Sequence, residues 1–163
     1  MNEEKEYVSS VTLMILGEDL KPDEVSAELS LMPSQAWLKG EQKSFARADG
    51  SKRVFESRHE WGGWKCFVDQ AHEDALLEEQ LQFWCDTLQD KVDTLSRFKS
   101  KGLHCALSLF VTTDDTASII LPEELQASLA SLGLELELSI MTGDESEQQN
   151  PELSPAAVAS DEA

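Results

Sequence analysis

Two segments near opposite ends of the chain are built alike. Leu20-Lys21-Pro22-Asp23-Glu24-Val25 and Leu121-Pro122-Glu123-Glu124-Leu125 each follow an apolar run, and each places proline at a helix start with two carboxylates behind it. Proline's fixed φ suits the first helical turn, where N–H groups lack helical acceptors, and the positive end of the helix dipole favours the carboxylates. The chain therefore carries a strand–helix unit near each end, and the residues between must supply a sheet on which both can pack.

Residues 7–16 are rich in β-branched and aliphatic side chains and close on Gly17-Glu18-Asp19, which predicts a buried first strand ending in a turn. The helix opened by Pro22 carries Val25 and Leu29 on one face and stops before Pro33, because proline disfavours helical geometry in the residue ahead of it. In residues 34–51, Gly40 and Asp49-Gly50-Ser51 interrupt a stretch with few periodic apolar positions, so a long irregular connection or a loose extended segment is expected. Gly62-Gly63 separates residues 53–61 from residues 64–68 and is suited to the positive φ angles of a two-residue hairpin. That hairpin would set Trp61 opposite Trp64, Glu60 opposite Lys65 and His59 opposite Cys66.

Between residues 75 and 100, Leu77, Leu81, Trp84, Leu88, Val92, Leu95 and Phe98 recur at helical steps. They predict one amphipathic helix of about seven turns. Past Gly102, alternation around Cys105, Leu107, Leu109 and Val111 predicts a mostly buried strand that ends at Asp114-Asp115. Ile119-Ile120-Leu121 reads as a short strand leading into the second proline-started helix, which carries Leu125, Leu129 and Leu132 and is capped by Gly133. Leu134, Leu136, Leu138 and Ile140 then alternate with Glu135, Glu137, Ser139 and Met141, a half-buried strand with an acidic outer face. The expected order is β-α-β-β-α-β-(β)-α-β. It forms one α+β domain over residues 7–142, with an antiparallel or mixed sheet and helices on one face, and the paired units point to a pseudo-duplicated, ferredoxin-like arrangement. Residues 1–6 form a polar lead. Residues 143–163, acidic and rich in Ser, Gln, Pro and Ala, hold too little apolar area to offset the entropy of ordering and are expected to be disordered.

The order of several short features supports a family resemblance. Gly17-Glu18-Asp19-Leu20 precedes Pro22-Asp23-Glu24-Val25; Met32-Pro33-Ser34, Trp37 and Lys39-Gly40 follow; Leu121-Pro122-Glu123-Glu124-Leu125 and Leu132-Gly133-Leu134 close the pattern. In these features the chain resembles the bacterial domain-of-unknown-function family DUF4279 over most of residues 7–142. The resemblance implies a small stand-alone domain and transfers no catalytic signature.

Charge narrows the partners. With 32 acidic against 13 basic residues the formal net charge is −19. This disfavours nucleic acid phosphates and membrane surfaces and would accelerate encounter with a basic protein. Lys39, Lys43, Arg47, Lys52, Arg53, Arg58 and Lys65 nevertheless outnumber the acids of the same stretch, leaving one locally positive segment. Residues 1–6 are charged where a secretory signal would be apolar, and Cys66, Cys85 and Cys105 are widely spaced without a Cys-x-x-Cys pair; reduced thiols in the cytoplasm are expected.

Sequence offers little catalytic material. His59 facing Cys66 across the Gly62-Gly63 turn is the one arrangement that resembles an activated thiol. His59, His72 and His104 are too scattered for a helical metal pair, Asp114-Asp115 lacks the spaced ligands of a calcium loop, and no glycine-rich phosphate loop follows a strand, so neither metal nor cofactor is expected. Trp37, Trp61 and Trp64, interleaved with Lys39, Arg58 and Lys65, make a candidate surface for binding another protein. The expected function is a non-catalytic protein-binding module, such as an inhibitor or immunity protein that occludes a basic toxin domain. A small enzyme or ligand-binding domain using the His59, Cys66 and tryptophan hairpin is the alternative, and a DNA mimic built from the surface carboxylates is a third.

Overall fold

The structure, a computed structural model, describes residues 7–143. The polar lead and the acidic tail, for which disorder is expected, lie outside the described residues. The elements are β1 (Val8–Gly17), α1 (Pro22–Leu29), β2 (Gln35–Trp37), β3 (Gln42–Ala46), β4 (Lys52–Arg58), β5 (Gly62–Phe67), α2 (Leu77–Leu88), α3 (Val92–Ser100), β6 (His104–Thr113), α4 (Glu123–Leu132) and β7 (Glu135–Thr142). Five strands form a mixed sheet in the order β2-β5-β1-β6-β7, with only β6 and β7 parallel. Strands β3 and β4 form a separate antiparallel ribbon.

Alternation along the central strand decides which face is the core. Val11, Leu13 and Ile15 of β1 stand beside Leu109, Leu107 and Cys105 of β6, and Leu13 and Ile15 beside Cys66 and Trp64 of β5. This row shares the apolar core with Val25 and Leu29 of α1, Leu81 and Trp84 of α2, Leu95 and Phe98 of α3, and Leu125 and Leu129 of α4. The helices thus cover one face, as expected. On the other face Phe67 and Phe110 are exposed. Because β5 ends opposite Thr12, no strand among the described residues lies beside the edge of β1 from Ser9 to Val11 on that side. Helix α2 supplies the missing partners: Val11 N–H donates to Gln80 Oε1 (2.9 Å), Gln80 Nε2 donates to the Ser9 carbonyl (3.0 Å), and Trp84 Nε1 donates to the Val11 carbonyl (3.0 Å).

Several expectations are corrected. The single long helix is two: Lys91 leaves helical geometry (φ −117°, ψ 11°), so α2 packs on β1 and α3 on β6. An unbroken helix over residues 75–100 would be about 39 Å long, more than a ten-residue strand spans, and would overshoot the sheet. Of the two expectations for residues 34–51 the extended one holds and the irregular connection does not: the stretch contains β2 and β3. Ile119-Ile120-Leu121 is not a strand. All of β7 is exposed rather than half-buried, because it is the outer strand of the sheet.

The pseudo-duplication is partial. The first unit is a split β-α-β, with β5 between β1 and β2, whereas the second returns β7 directly beside β6.

Candidate functional site: a ribbon arm and its tryptophan root

The β3–β4 ribbon stands apart from the sheet as an arm. Its tip is a turn in which Arg47 N–H donates to the Ser51 carbonyl (2.8 Å) and Asp49 Oδ1 accepts both Ser51 N–H and Ser51 Oγ–H. These bonds hold the Asp49 carboxyl below the ordinary carboxylate range. Along the arm Gln42 pairs with Arg58, Ser44 with Val54, Phe45 with Arg53 and Ala46 with Lys52, with a register shift between Gln42 and Ser44. Every residue of both strands is exposed. Phe45 is 62% and Val54 57% exposed, and the Arg53 guanidinium lies over the Phe55 ring, 5.1 Å from its centre.

The arm is fixed where it leaves the sheet. Gly40 N–H donates to the His59 carbonyl and His59 N–H to the Glu41 carbonyl, which continues the ladder to the root. The Arg58 guanidinium donates to the Gly40 carbonyl (2.7 Å), and Lys39 pairs with Glu18 in the turn after β1. That pairing lowers the Glu18 pKa and raises that of Lys39, chiefly through the shared hydrogen bond. At the centre of the root the Trp37 indole stacks on the His59 imidazole (4.5 Å between centres, 19° between planes) and donates Nε1–H to the Trp61 carbonyl (3.0 Å). Lys65 Nζ lies 5.6 Å from the Trp37 ring centre. Desolvation, with the charge of Lys43 behind it, pushes the His59 pKa down and so favours the uncharged ring in the stack.

Gly62 and Gly63 serve this packing rather than a turn. Both lie within β5, paired with Gly17 and Leu16, and neither adopts positive φ. A Cβ at Gly62 would come within 3.0 Å of the Leu20 carbonyl oxygen, and one at Gly63 would sit 2.0 Å from the Trp37 ring. The predicted hairpin therefore does not form, because β4 pairs with β3 and β5 pairs with β1 and β2.

With this geometry in view, the family comparison is informative: residues 5–143 match DUF4279, a domain of unknown function. The chain belongs to that family. Comparison with curated proteins and with solved structures gave no match.

In this DUF4279 domain the sequence-predicted residues fall into two groups. Trp37, Lys39, Arg58, Trp61 and Lys65, with His59, converge at the arm's root. Trp64 does not: it is fully buried and donates Nε1–H to Ser26 Oγ (3.0 Å), so it is a core residue that holds α1 to β5. The arm is not among the sequence expectations, although the turn signal Asp49-Gly50-Ser51 between two runs carrying Phe45, Val54 and Phe55 marks a hairpin.

The thiol reading loses its geometry. Cys66 stands opposite Leu13, not His59, and its Sγ–H donates to the Met32 carbonyl (3.4 Å). Burial pushes the Cys66 pKa up, against a smaller opposing effect of a hydrogen bond with Ser34. We predict that maleimide modifies Cys66 more slowly than a free cysteine at neutral pH and that the rate climbs as pH rises; faster modification at neutral pH would restore the activated thiol. Among the described residues no three His, Cys, Asp or Glu side chains converge as metal ligands. A cleft of about 510 Å³ beside the free edge of β1 is lined by Thr12, Ser34, Phe67, Gln70 and Glu73, and a second of about 630 Å³ runs along α2 past His72, Glu79 and Asp86. Neither sets a nucleophile against a base.

Proposed function

We propose that the protein is a non-catalytic, cytoplasmic binding protein that docks on a basic protein through the β3–β4 arm. The observation that carries this reading is a two-stranded ribbon exposed on both faces, with Phe45, Val54 and Phe55 uncovered, on a chain of net charge −19. An arm of this kind gains little stability by exposing aromatic and branched apolar side chains to water, whereas a partner that covers them gains affinity.

The arm itself is net positive, with Lys43, Arg47, Lys52, Arg53 and Arg58 against Asp49 and Glu56, so it meets the partner through its apolar side chains rather than through charge. The acidic remainder of the chain supplies long-range attraction for a cationic partner, and the arm supplies the apolar anchor. Inhibition of a basic toxin domain is a role that such a protein would fill.

The test compares the tagged full chain with a Phe45→Ser, Val54→Ser variant as baits for a host-cell extract at low and high salt. We expect a basic protein retained at low salt, weakened at least about tenfold by the variant and released by salt. Retention that ignores the variant, or no retained protein, would overturn the reading.

A further inference from the structure

Among the described residues, strand β7 is an open edge that pairs only with β6, whereas the opposite edge, β2, is three residues long. Its eight residues include no proline, lysine or arginine and its register with β6 is unbroken, so Glu135 and Glu137 on the outer face are its only charged blunting residues. Leu136, Leu138 and Ile140 stand in register with the core-facing Leu107, Leu109 and Val111 of β6, yet they are 44%, 56% and 59% exposed. The core face of the sheet therefore continues past its last strand as an uncovered apolar row.

We propose that this row is completed by β7 of a second copy of the chain, antiparallel across a twofold axis at Leu138. Antiparallel neighbours set residues of the same face opposite each other, and β7 is complementary to itself at one register. With the axis at Leu138, Leu136 faces Ile140 of the second copy and Leu138 faces its own counterpart. On the other face Glu137 then meets Ser139 and Glu135 meets Met141, so no carboxylate opposes a carboxylate. Moving the axis to Glu137 sets that residue against itself, and moving it to Ser139 leaves Leu136 opposite Thr142. The proposed pairing joins two five-stranded sheets into one continuous sheet.

This contact is independent of the arm, and salt separates the two. Each copy carries −19, so screening strengthens self-association while it weakens attraction for a basic partner. Sedimentation of the full chain is expected to show a monomer–dimer equilibrium that shifts toward dimer as salt rises. Leu138→Lys sets two ammonium groups face to face at the axis and should raise the dimer dissociation constant about a hundredfold or more. The register is tested by oxidation in a Cys66→Ser background. Leu138→Cys should crosslink, because directly opposed strand residues have Cα separations of about 4.5–5.5 Å, within the range a disulfide spans. Glu137→Cys should not. A monomer at every salt, whether the edge is then covered by the acidic tail or by a different protein, overturns the proposal. So does a dimer indifferent to Leu138→Lys, or one that crosslinks through Glu137→Cys.

Discussion

Replacing Gln80 with alanine should lower the unfolding free energy by about 2–5 kcal/mol, a large share of what a domain of this size holds. The side chain is completely buried, and its amide does the work of a strand. It accepts from Val11 N–H and donates to the Ser9 and Ala75 carbonyls, at 2.9, 3.0 and 3.0 Å. Removing it strands Val11 N–H and the Ser9 carbonyl away from water, and each unsatisfied group costs about 1–3 kcal/mol. Gln80→Leu fills the volume but leaves the same groups unpaired, so it should be nearly as harmful. Gln82→Ala, on the exposed side of α2, should be within about 0.5 kcal/mol of the parent. Denaturant unfolding of the three variants checks the ranking; a Gln80→Ala loss as small as that of Gln82→Ala would contradict it.

Trp64→Ala should cost about 3–5 kcal/mol, whereas Trp61→Ala should change stability by about 0.5 kcal/mol or less. Trp64 is among the largest fully buried side chains, packed beside Ile15 and bonded to Ser26 of α1, so its loss leaves a cavity and loosens the helix that opens at Pro22. Trp61 is 53% exposed and contributes its backbone carbonyl to Trp37, which alanine retains. Unfolding curves decide it: equal losses, or a greater loss at Trp61, would mean that the two tryptophans have been assigned the wrong roles.

Much of the fold was legible because its signals are local. Proline followed by two carboxylates marks the starts of α1 and α4, β-branched and aliphatic residues mark β1, and alternation marks β6 and β7. Apart from the β3–β4 arm, whose turn signal is local, the failures share a cause: residues distant in sequence decide the outcome. Gly62-Gly63 fits either a positive-φ turn or a close approach, and the groups that approach are the Leu20 carbonyl at Gly62 and the Trp37 indole at Gly63, both supplied from elsewhere in the chain. The apolar period from Leu77 to Phe98 runs unbroken through Lys91, where the extent of the sheet rather than any glycine or proline divides α2 from α3. The root of the arm is half legible: the tryptophans and cations of residues 37–65 read as one group, while their pairing does not follow from the sequence. The hairpin expectation sets His59 against Cys66, and in the fold it stacks on Trp37.

The claim on which the functional reading rests is that the arm is the contact surface. Amide hydrogen exchange of the full chain, free and with the basic protein captured by it, tests this directly. The account predicts slowed exchange concentrated in residues 42–58 with the sheet amides unchanged. An arm that exchanges as fast in the complex as alone, with protection elsewhere, would contradict it.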